Sequence, residues 1–541
     1  MTTGLEHVEY RRLRAPREDG AALVEPAFGE VSELAARNRS RRRTCDYDFQ
    51  GRSLAELARA AREELIREAQ RYTSAYRDVD LTRYHPTQPI YLAGHQPQLF
   101  HPGVWYKNFV LGSLARRHQA QAVNLVIDSD TIKSVAIRVP GGPVEHPRLT
   151  AVEFDRPGPP IPFEERPIQD RELYESFGGR VAEQIRPLVR HPLIEKYWPM
   201  AVARSHQTGN LGECLAESRH RLEGCWGTAT LELPQSRVCD LPSFSYFTAH
   251  LLAHLPRLRM IYNDVVAEYR RSHHVRSTAH PVPDLAVDDD WLEAPYWIWS
   301  AEDPRRRRLF AKHLDDEILL TDRRGLELAL PLSPESDAAA AVDRLSRYSA
   351  CGIKIRSRAL ITTLWARLVL GDLFLHGIGG AKYDQVTDAI CTQFFGMEPP
   401  RYLVVSATLY LPVAHRRTTD GDVRRVNDRL RQLAYHPDRV IQEDGLASGP
   451  AGDPSDLMEE KRRWIGTPQT PGNAAERFRQ FHRINEALQP WVASERRRLL
   501  DRREHLERAL RAEAILSSRE YAFCLFPETT LREFLQKRLP A

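Results

Sequence analysis

Two short segments of the chain combine glycine, histidine and lysine where a strand passes into a helix. The first is GHQPQLFHPG, which begins at Gly94 and contains His95 and His101, two candidates for hydrogen bonding to an anion or for general acid catalysis. Gln96 adds an amide, and Lys107 follows on the first turns of the helix. A helix start carries unpaired N–H groups and about half a positive charge. This segment therefore predicts a site for a phosphate or a carboxylate.

Two aspartates follow the next apolar run of the sequence. Asp128 ends AVNLVID, and Asp130 comes two residues later in DSDTIK. Both are candidate catalytic groups that could hold Mg²⁺, a ribose or an amine. The alternative for the preceding segment is that His95 and Gln96 only satisfy backbone groups in a tight turn, but the whole cluster of polar groups favours a functional site.

The second segment, HGIGGAKYD, has three glycines ahead of a helix. A glycine-rich turn of this kind can bind an anion through its backbone N–H groups. Its spacing is neither that of a Walker A loop nor that of GxGxxG. Close packing of the helix against a sheet is an equally good explanation of the glycines. The candidate binding residues are His376, Gly377, Gly379, Gly380, Lys382 and Tyr383.

The elements that position these residues alternate between strand and helix. The run PIYLAG around Ile90 predicts a strand buried on both faces, a helix begins near Pro102, and residues 122–128 predict a second strand. Such a βαβ unit implies an α/β fold with a parallel sheet. Ligands of parallel sheets bind beyond the carboxyl ends of the strands, where His95 and Asp128 both lie.

Apolar periodicity predicts the other elements of the chain. These are helices over 53–77, 210–227 and 246–271, a small β-meander over 296–321, a helix leading into a strand over 359–375, and a long coiled-coil helix over 484–516 paired with 456–465 or with a second subunit.

Composition shifts divide the chain into four predicted regions. These are an N-terminal helical extension (1–88), a core with insertions at 141–200 and 240–330 (89–400), a connecting segment and linker (401–454), and a helical coiled-coil region (455–541).

Net charge and cysteine content argue against several classes of function. The net charge of +4 over 541 residues gives no reason to expect a polyanionic partner, and the arginine runs at 41–43 and 305–308 are not interleaved with aromatic residues. Nucleic-acid binding is therefore the weakest alternative. The seven cysteines form no CxxC pair, which argues against a zinc ribbon and favours a reducing compartment. Neither a signal peptide nor a membrane span is expected, and the prediction is a cytoplasmic protein.

Three motifs in the same order resemble the bacillithiol biosynthesis cysteine-adding enzyme (BshC) family. The family's GHQ-x-x-LF turn follows the first strand of a Rossmann-like core related to nucleotidylyltransferases. A later NLG segment and an R-x-L helix leading to a GG-x-x-Y turn follow it. The matching residues are Gly94, His95, Gln96, Leu99 and Phe100; Asn210, Leu211, Gly212, Leu222, Trp226 and Gly227; and Arg358, Leu360, Gly379, Gly380 and Tyr383.

The chain departs from the family pattern at several positions. The family usually ends its second strand with an EDHD-type run, whereas this chain has DSDTIK and lacks the histidine. His101 and Pro102 replace small residues, and Lys382 stands near a common Glu. The coiled coil also lies after the core instead of being inserted in it.

The resemblance implies an amide-forming ligase or a nucleotidyl or acyl transferase. Such an enzyme would add cysteine or a similar amino acid to the amine of a small anionic, sugar-malate-like substrate in low-molecular-weight thiol biosynthesis. ATP or another nucleotide with Mg²⁺ is the candidate cofactor, and Asn210 and Arg358 join the candidate binding residues. A homodimer through the coiled coil is expected. The alternative is a catalytically silent Rossmann-derived binding or scaffold protein.

Overall fold

The apolar runs of the sequence form the strands of two larger sheets and one hairpin. The computed structural model describes residues 13–79, 85–443, 452–537 and 539. Its strands, in chain order, are β1 (Ala22–Glu25), β2 (Ile90–His95), β3 (Gln121–Val126), β4 (Ala136–Gly141), β5 (Arg148–Glu153), β6 (Leu231–Pro234), β7 (Val287–Asp288), β8 (Trp291–Ser300), β9 (Arg307–His313), β10 (Ile318–Thr321), β11 (Glu327–Leu330), β12 (Ile353–Ser357), β13 (Leu373–His376) and β14 (Leu403–Ala407).

Helices account for most of the remaining described chain. In chain order they are α1 (Val31–Thr44), α2 (Leu54–Ser74), α3 (Pro102–Arg117), α4 (Arg171–Ile185), α5 (Ile194–Ser205), α6 (Leu211–Cys225), α7 (Gln235–Cys239), α8 (Pro242–Ala253), α9 (Leu255–Ser272), α10 (Ala339–Ala350), α11 (Ala359–Trp365), α12 (Ile378–Phe395), α13 (Asp420–Tyr435), α14 (Pro437–Glu443), α15 (Ser455–Gly466), α16 (Ala474–Ala487), α17 (Gln489–Leu516) and α18 (Glu528–Lys537). None of the described helices is both long enough and apolar enough to cross a membrane.

The central sheet has six strands in the order β1-β14-β13-β2-β3-β6. Strands β14, β13, β2, β3 and β6 run parallel to their neighbours, and β1 pairs antiparallel with β14. The residues of β2, β13 and β14 are almost all buried, as expected for parallel strands covered on both faces. The predicted mixed α/β fold with a parallel sheet is confirmed.

The predicted βαβ unit is present as β2, α3 and β3, and the predicted meander is present as β8, β9 and β10. The meander belongs to a larger antiparallel sheet with the order β11-β10-β9-β8-β12. The helix predicted over 53–77 begins at Leu54, and Ser53 and Glu56 form the expected capping box.

Two predicted regions have more structure than the sequence suggested. The N-terminal segment, expected to be a helical extension, supplies β1 as an edge strand of the central sheet. The segment 141–200, expected to be a charged insertion, contains α4 and α5, which pack on one another and on α6 through Phe177, Trp198 and Tyr197.

Asp372 fixes the starts of the two middle strands. Its buried carboxylate accepts the N–H of Ile90 at 2.9 Å and pairs with the guanidinium groups of Arg42, on α1, and Arg62, on α2. Arg62 also donates to the carbonyl of Leu370 at 2.8 Å. These bonds tie both N-terminal helices to the amino ends of β2 and β13.

The described chain divides into two compact units. One holds the central sheet and comprises the described residues up to Val139, Thr150–Pro412 and those from Arg519 onward. The other comprises Pro140–Leu149 and Val413–Ser518. The sequence-based regions divide the chain differently, because residues 519–539 belong with the sheet and not with the preceding helices.

The long helix of the second unit has a different partner from the predicted one. Instead of the segment 456–465, α17 packs mainly on α13, and α15 packs on α16. Their shared core consists of Val426, Leu433, Val440, Ile441, Ile484, Leu488, Trp491, Val492 and Leu499. Dimerisation through α17 stays a prediction, and light scattering would measure it. Most of the predicted linker, residues 444–451, lies outside the described residues.

Candidate functional site

The two glycine- and histidine-containing segments lie side by side at the carboxyl ends of neighbouring strands in the central sheet. Strands β2 and β13 are parallel neighbours, with Ala93 opposite Leu375. Each strand ends one or two residues later, at His95 and His376. The carboxyl ends of these two strands therefore bring both predicted turns together.

His95 turns toward α3. Its Nδ1–H donates to the carbonyl oxygen of Gln96 at 3.0 Å, and its ring packs edge-on against Phe100 at 4.8 Å between centroids. Because Nδ1 carries the proton, Nε2 is left as the acceptor. Burial, followed by the nearby ammonium of Lys107, lowers the pKa of His95 to about 3. The imidazole is therefore neutral at physiological pH.

Lys107 reaches the same edge from α3, although its side chain is buried. Its Nζ donates to the carbonyl oxygen of Gly94 at 2.5 Å. Burial, with a smaller contribution from the Arg219 guanidinium, lowers the pKa of Lys107 to about 7. A buried amine of this pKa exists in both charge states near neutrality, and an anion bound beside it would stabilise the ammonium.

His376 turns toward α12, where a carboxylate orients it. Its Nε2–H donates to Oδ2 of Asp384 at 2.7 Å, which leaves Nδ1 as the acceptor. Asp384 also accepts from Arg367 at 2.6 Å and from the hydroxyl of Thr363 at 2.7 Å. Burial lowers the pKa of His376 and Asp384 opposes this shift, while Arg367 and His376 hold the pKa of Asp384 below its usual range.

The start of α12 offers unused backbone donors. No side chain caps the helix at Gly377, and the N–H groups of Ile378, Gly379 and Gly380 have no hydrogen-bond acceptor among the described residues. The space around Gly377 and Gly379 is open, since a Cβ on either would meet no atom within 4 Å. This turn therefore has the donors and the room to bind an anion.

The start of α3 lacks such donors. Pro102 has no N–H, the N–H of Gly103 donates to Nδ1 of His101 at 3.1 Å, and the N–H of Val104 donates to the carbonyl of His101 at 3.0 Å. A Cβ on Gly103 would lie 2.0 Å from the carbonyl oxygen of Ala407. His101 thus caps the helix in this structure, and Lys107 is the residue of the first segment with a donor suited to an anion.

Lys382 and Tyr383 lie on α12 but away from His376. Gly380 and Asp384 face His376, while Lys382 is exposed. The ring of Tyr383 packs edge-on against His280 at 5.4 Å. The structure therefore brings the glycines of the second segment to the edge of the sheet but not its lysine.

Asp130 is held by side chains from two other elements. Its Oδ2 accepts from Nε2 of Gln96 at 3.1 Å, and its Oδ1 accepts from Arg306 at 3.0 Å. Arg306 stacks over the ring of Trp297 at 4.3 Å. Both carboxylate oxygens are thus engaged, and Asp130 joins the β2 turn to the second sheet.

Asp128 lies on the next strand end, in a separate polar cavity. The backbone N–H of Ser236 donates to its Oδ1 at 2.9 Å, and the Ser236 hydroxyl donates to its Oδ2. Burial, and then the neighbouring carboxylate of Glu164, raise the pKa of Asp128 to about 7. The cavity has a volume of about 150 Å³ and lies where β3 and β6 end.

Asn210 and Arg358 make contacts that position helices. Asn210 caps α6 by accepting the N–H of Glu213 at 3.0 Å, and it also lines the Asp128 cavity. Arg358 precedes α11, donates to Glu293 at 2.6 Å and stacks on Trp297 at 4.1 Å. Of the two, only Asn210 reaches a candidate site.

The predicted Mg²⁺ does not fit the two aspartates. Asp128 is bonded to Ser236, whereas Asp130 is bonded to Gln96 and Arg306. In the part of the chain that the structure describes, no three His, Cys, Asp or Glu side chains are grouped to hold a metal ion. A nucleotide phosphate fits the start of α12 better than Mg²⁺ fits the two aspartates, because the free N–H groups of α12 are suitable hydrogen-bond donors.

Sequence reasoning missed the residues that orient and surround the predicted ones. Asp384 closes the segment HGIGGAKYD, and its eight-residue separation from His376, across a predicted strand-to-helix turn, was a signal that the two could meet. Arg367 interrupts the apolar run 360–381, and no local motif indicates its pairing with Asp384. Glu164 and Lys354 carry no local motif, and only the folded chain places them beside Asp128.

Comparison with known proteins does not assign a family. No protein-family model matches the chain, and no curated protein matches it.

Proposed function

We propose that the protein is a BshC-like transferase or ligase that joins an amino acid, cysteine or a similar one, to the amine of a small anionic substrate. The observation that carries the proposal is the adjacency of His95 and His376 at the ends of β2 and β13, beside Lys107 and the uncapped start of α12. One ammonium and three backbone donors favour an anionic ligand, and two neutral imidazoles, each with an acceptor nitrogen, favour proton transfer from a second reactant.

The order of the strands supports this location. Counted along the chain, the five parallel strands lie in the order 3-2-1-4-5, which is that of a Rossmann-like core. In such a sheet the ligand crevice lies between the first and fourth strands, here β2 and β13. We therefore infer a Rossmann-like core with its crevice at His95 and His376.

The charges along the carboxyl ends of the strands suit an anionic group at one end and an ammonium group at the other. The start of α12 favours the anion, and the cavity around Asp128 and Glu164 favours a cation. Strands β13 and β6 are three strand spacings apart, or about 14 Å. This edge therefore has room for two small reactants, an anionic sugar conjugate at the start of α12 and an amino acid at the cavity.

The proposed step is acyl transfer to an amine. The amine nitrogen attacks the acyl carbon of an amino acid activated as a phosphate anhydride by a nucleoside triphosphate. The C–N bond forms, the C–O bond to the phosphate breaks, and the amine loses one proton. Nδ1 of His376, oriented by Asp384, accepts that proton, and the departing phosphate stays beside the N–H groups of α12. Lys107 stabilises the charge on the oxyanion.

The experiment measures amide formation from glucosaminyl malate, L-cysteine and ATP by mass spectrometry. His95→Ala and His376→Asn are each expected to lower turnover by about 10²–10⁴-fold. Lys382→Ala, on the exposed side of α12, is expected to change turnover much less. Normal turnover in both histidine variants, with native circular dichroism, would refute the site. A cytoplasmic location is part of the same proposal.

The second candidate is a binding protein without catalytic activity. This candidate is favoured because Asp130, a predicted catalytic residue, already accepts hydrogen bonds from Gln96 and Arg306 at its two carboxylate oxygens. Saturable binding of glucosaminyl malate with no product after long incubation would select this candidate.

A further inference from the structure

A polar cavity opens where β3 and β6 end, next to the crevice described above. Its walls come from the end of α2, the turn at Phe163–Glu165, the start of α6 and strand β12. At about 150 Å³ it has room for a small organic molecule and not only for a single water. The residues that line it include Tyr72, Asp128, Glu164, Ser236, Arg237 and Lys354.

The cavity lining includes two buried carboxylates, Asp128 and Glu164. The side chain of Glu164 is 8% exposed and receives three hydrogen bonds from Arg356, at 3.0, 3.1 and 3.3 Å. Asp128 is equally buried and receives its hydrogen bonds from Ser236. Burial raises the pKa of both carboxyl groups, and each of Asp128 and Glu164 keeps oxygen lone pairs beyond these bonds. A cation between them would offset both the burial and their mutual repulsion.

The lining also carries two cations, Arg237 and Lys354, and two further carboxylates, Glu165 and Glu213, which accept hydrogen bonds from Trp299 and Thr208. Arg237 lies over the ring of Tyr72, with 5.0 Å from its guanidinium carbon to the ring centroid. Lys354 is half-buried and close enough to Glu164 to influence its titration. Neither side chain forms an ion pair or a hydrogen bond with another residue in the described ranges. A carboxylate ligand would pair with both.

We propose that this cavity binds the zwitterion of a small α-amino acid. Its ammonium group would lie between Asp128 and Glu164, and its carboxylate would face Arg237 and Lys354. A simple anion would meet the buried carboxylates, and a simple amine would leave both cations unpaired. Charges of both signs within one small molecule match the carboxylates and the cations of the lining.

The assignment rests on the proposed function in one respect, since the cavity would receive the amino-acid reactant of that reaction before its carboxylate is activated. Binding, however, is measurable without turnover. The two ideas can therefore fail separately: turnover without amino-acid binding in the cavity would overturn the assignment alone, and binding without turnover would overturn the proposed reaction alone.

Isothermal titration calorimetry on the full chain tests the assignment with L-cysteine and glycine as probes. Ethanolamine lacks the carboxylate, glycolate lacks the ammonium, and both are expected to bind at least tenfold more weakly. Asp128→Asn and Lys354→Met are each expected to weaken amino-acid binding at least tenfold. Lys312→Met, in the same antiparallel sheet but away from the cavity, is the control and should bind normally.

Several results would overturn the assignment. They are the absence of saturable amino-acid binding, equal binding by both cavity variants and wild type, or equally tight binding of D-glucosamine, which would assign the cavity to the acceptor amine. If Asp128→Asn does not fold, Lys354→Met still tests the assignment. Lys354 is half-buried and forms no ion pair among the described residues, so its replacement is expected to leave the fold intact.

Discussion

Nε2 of His376 lies 2.7 Å from Oδ2 of Asp384, and both side chains are buried at the start of α12. The same carboxylate binds Arg367, which also binds Asp388 at 2.6 Å. The histidine is therefore held in one tautomer by a group that is itself fixed. Asp384 therefore both orients His376 and joins α12 to Arg367 and Thr363.

Asp384→Asn is expected to lower turnover by about 10²–10⁴-fold, because an amide no longer fixes the tautomer of His376. Asp388→Asn is the matched control, since it also removes a partner of Arg367 but does not touch His376. Both variants should lose stability in urea denaturation. Equal turnover in the two would show that His376 has no catalytic role.

Gly380→Ala is expected to displace His376, because a Cβ at this position would lie 2.7 Å from Nδ1. The gain of up to about 1 kcal/mol usual for Gly→Ala in a helix should be lost. Gly379→Ala meets no atom within 4 Å and should keep that gain. Urea denaturation of the two variants gives the comparison. A more stable Gly380→Ala protein with normal turnover would contradict the observed packing.

Lys107 should make stability depend on pH above neutrality. Its folded pKa of about 7 is below the ordinary 10.5, so the folded state binds fewer protons than the unfolded state between these values. The free energy of unfolding should therefore rise with pH from about 7 to 10.5, with a slope of up to about 1.4 kcal/mol per pH unit. Lys107→Met should flatten this rise. Urea denaturation at pH 6, 7.5 and 9 measures it, and an unchanged slope would refute the buried, destabilised ammonium.

Asp372→Asn is expected to destabilise the sheet-containing unit by about 3–5 kcal/mol, because two buried arginines lose their charge partner. Arg42 and Arg62 lower the pKa of Asp372 to about 2 from 3.8 despite its burial. Its stabilisation is therefore present above pH 3.8 and is lost as the pH falls toward 2. Thermal unfolding between pH 6 and 3 should show a smaller acid-dependent loss in the variant. Glu33→Gln, in an exposed pair with Arg37, should behave like wild type.

The sequence revealed the strands around the site because their side chains are apolar on both faces. The runs that contain Ile90 and Leu373 could be recognised alone, and parallel pairing followed from the helix between successive strands. Their adjacency is a long-range relationship, since β2 and β13 are separated by some 280 residues. No local pattern encodes it.

The sequence was less informative about polar groups that stabilise the fold. His101 has the residue type and the position of an anion ligand, yet its ring caps α3. Glu164 and Lys354 come from segments far apart in the chain and meet only in the cavity. Residue type predicts what a group can do, whereas its partners in the fold decide which of these contacts it makes.

The pairing of β1 with β14 constrains how the chain folds while it is being synthesised. Leu23 lies opposite Ser406, so this edge of the sheet closes only after about 380 further residues have been translated. At 5–20 residues per second this takes roughly 20–80 s. During that time the nascent N-terminal segment has no native partner strand. Truncated products that stop before Leu403 are therefore expected to be chaperone-dependent and prone to aggregate.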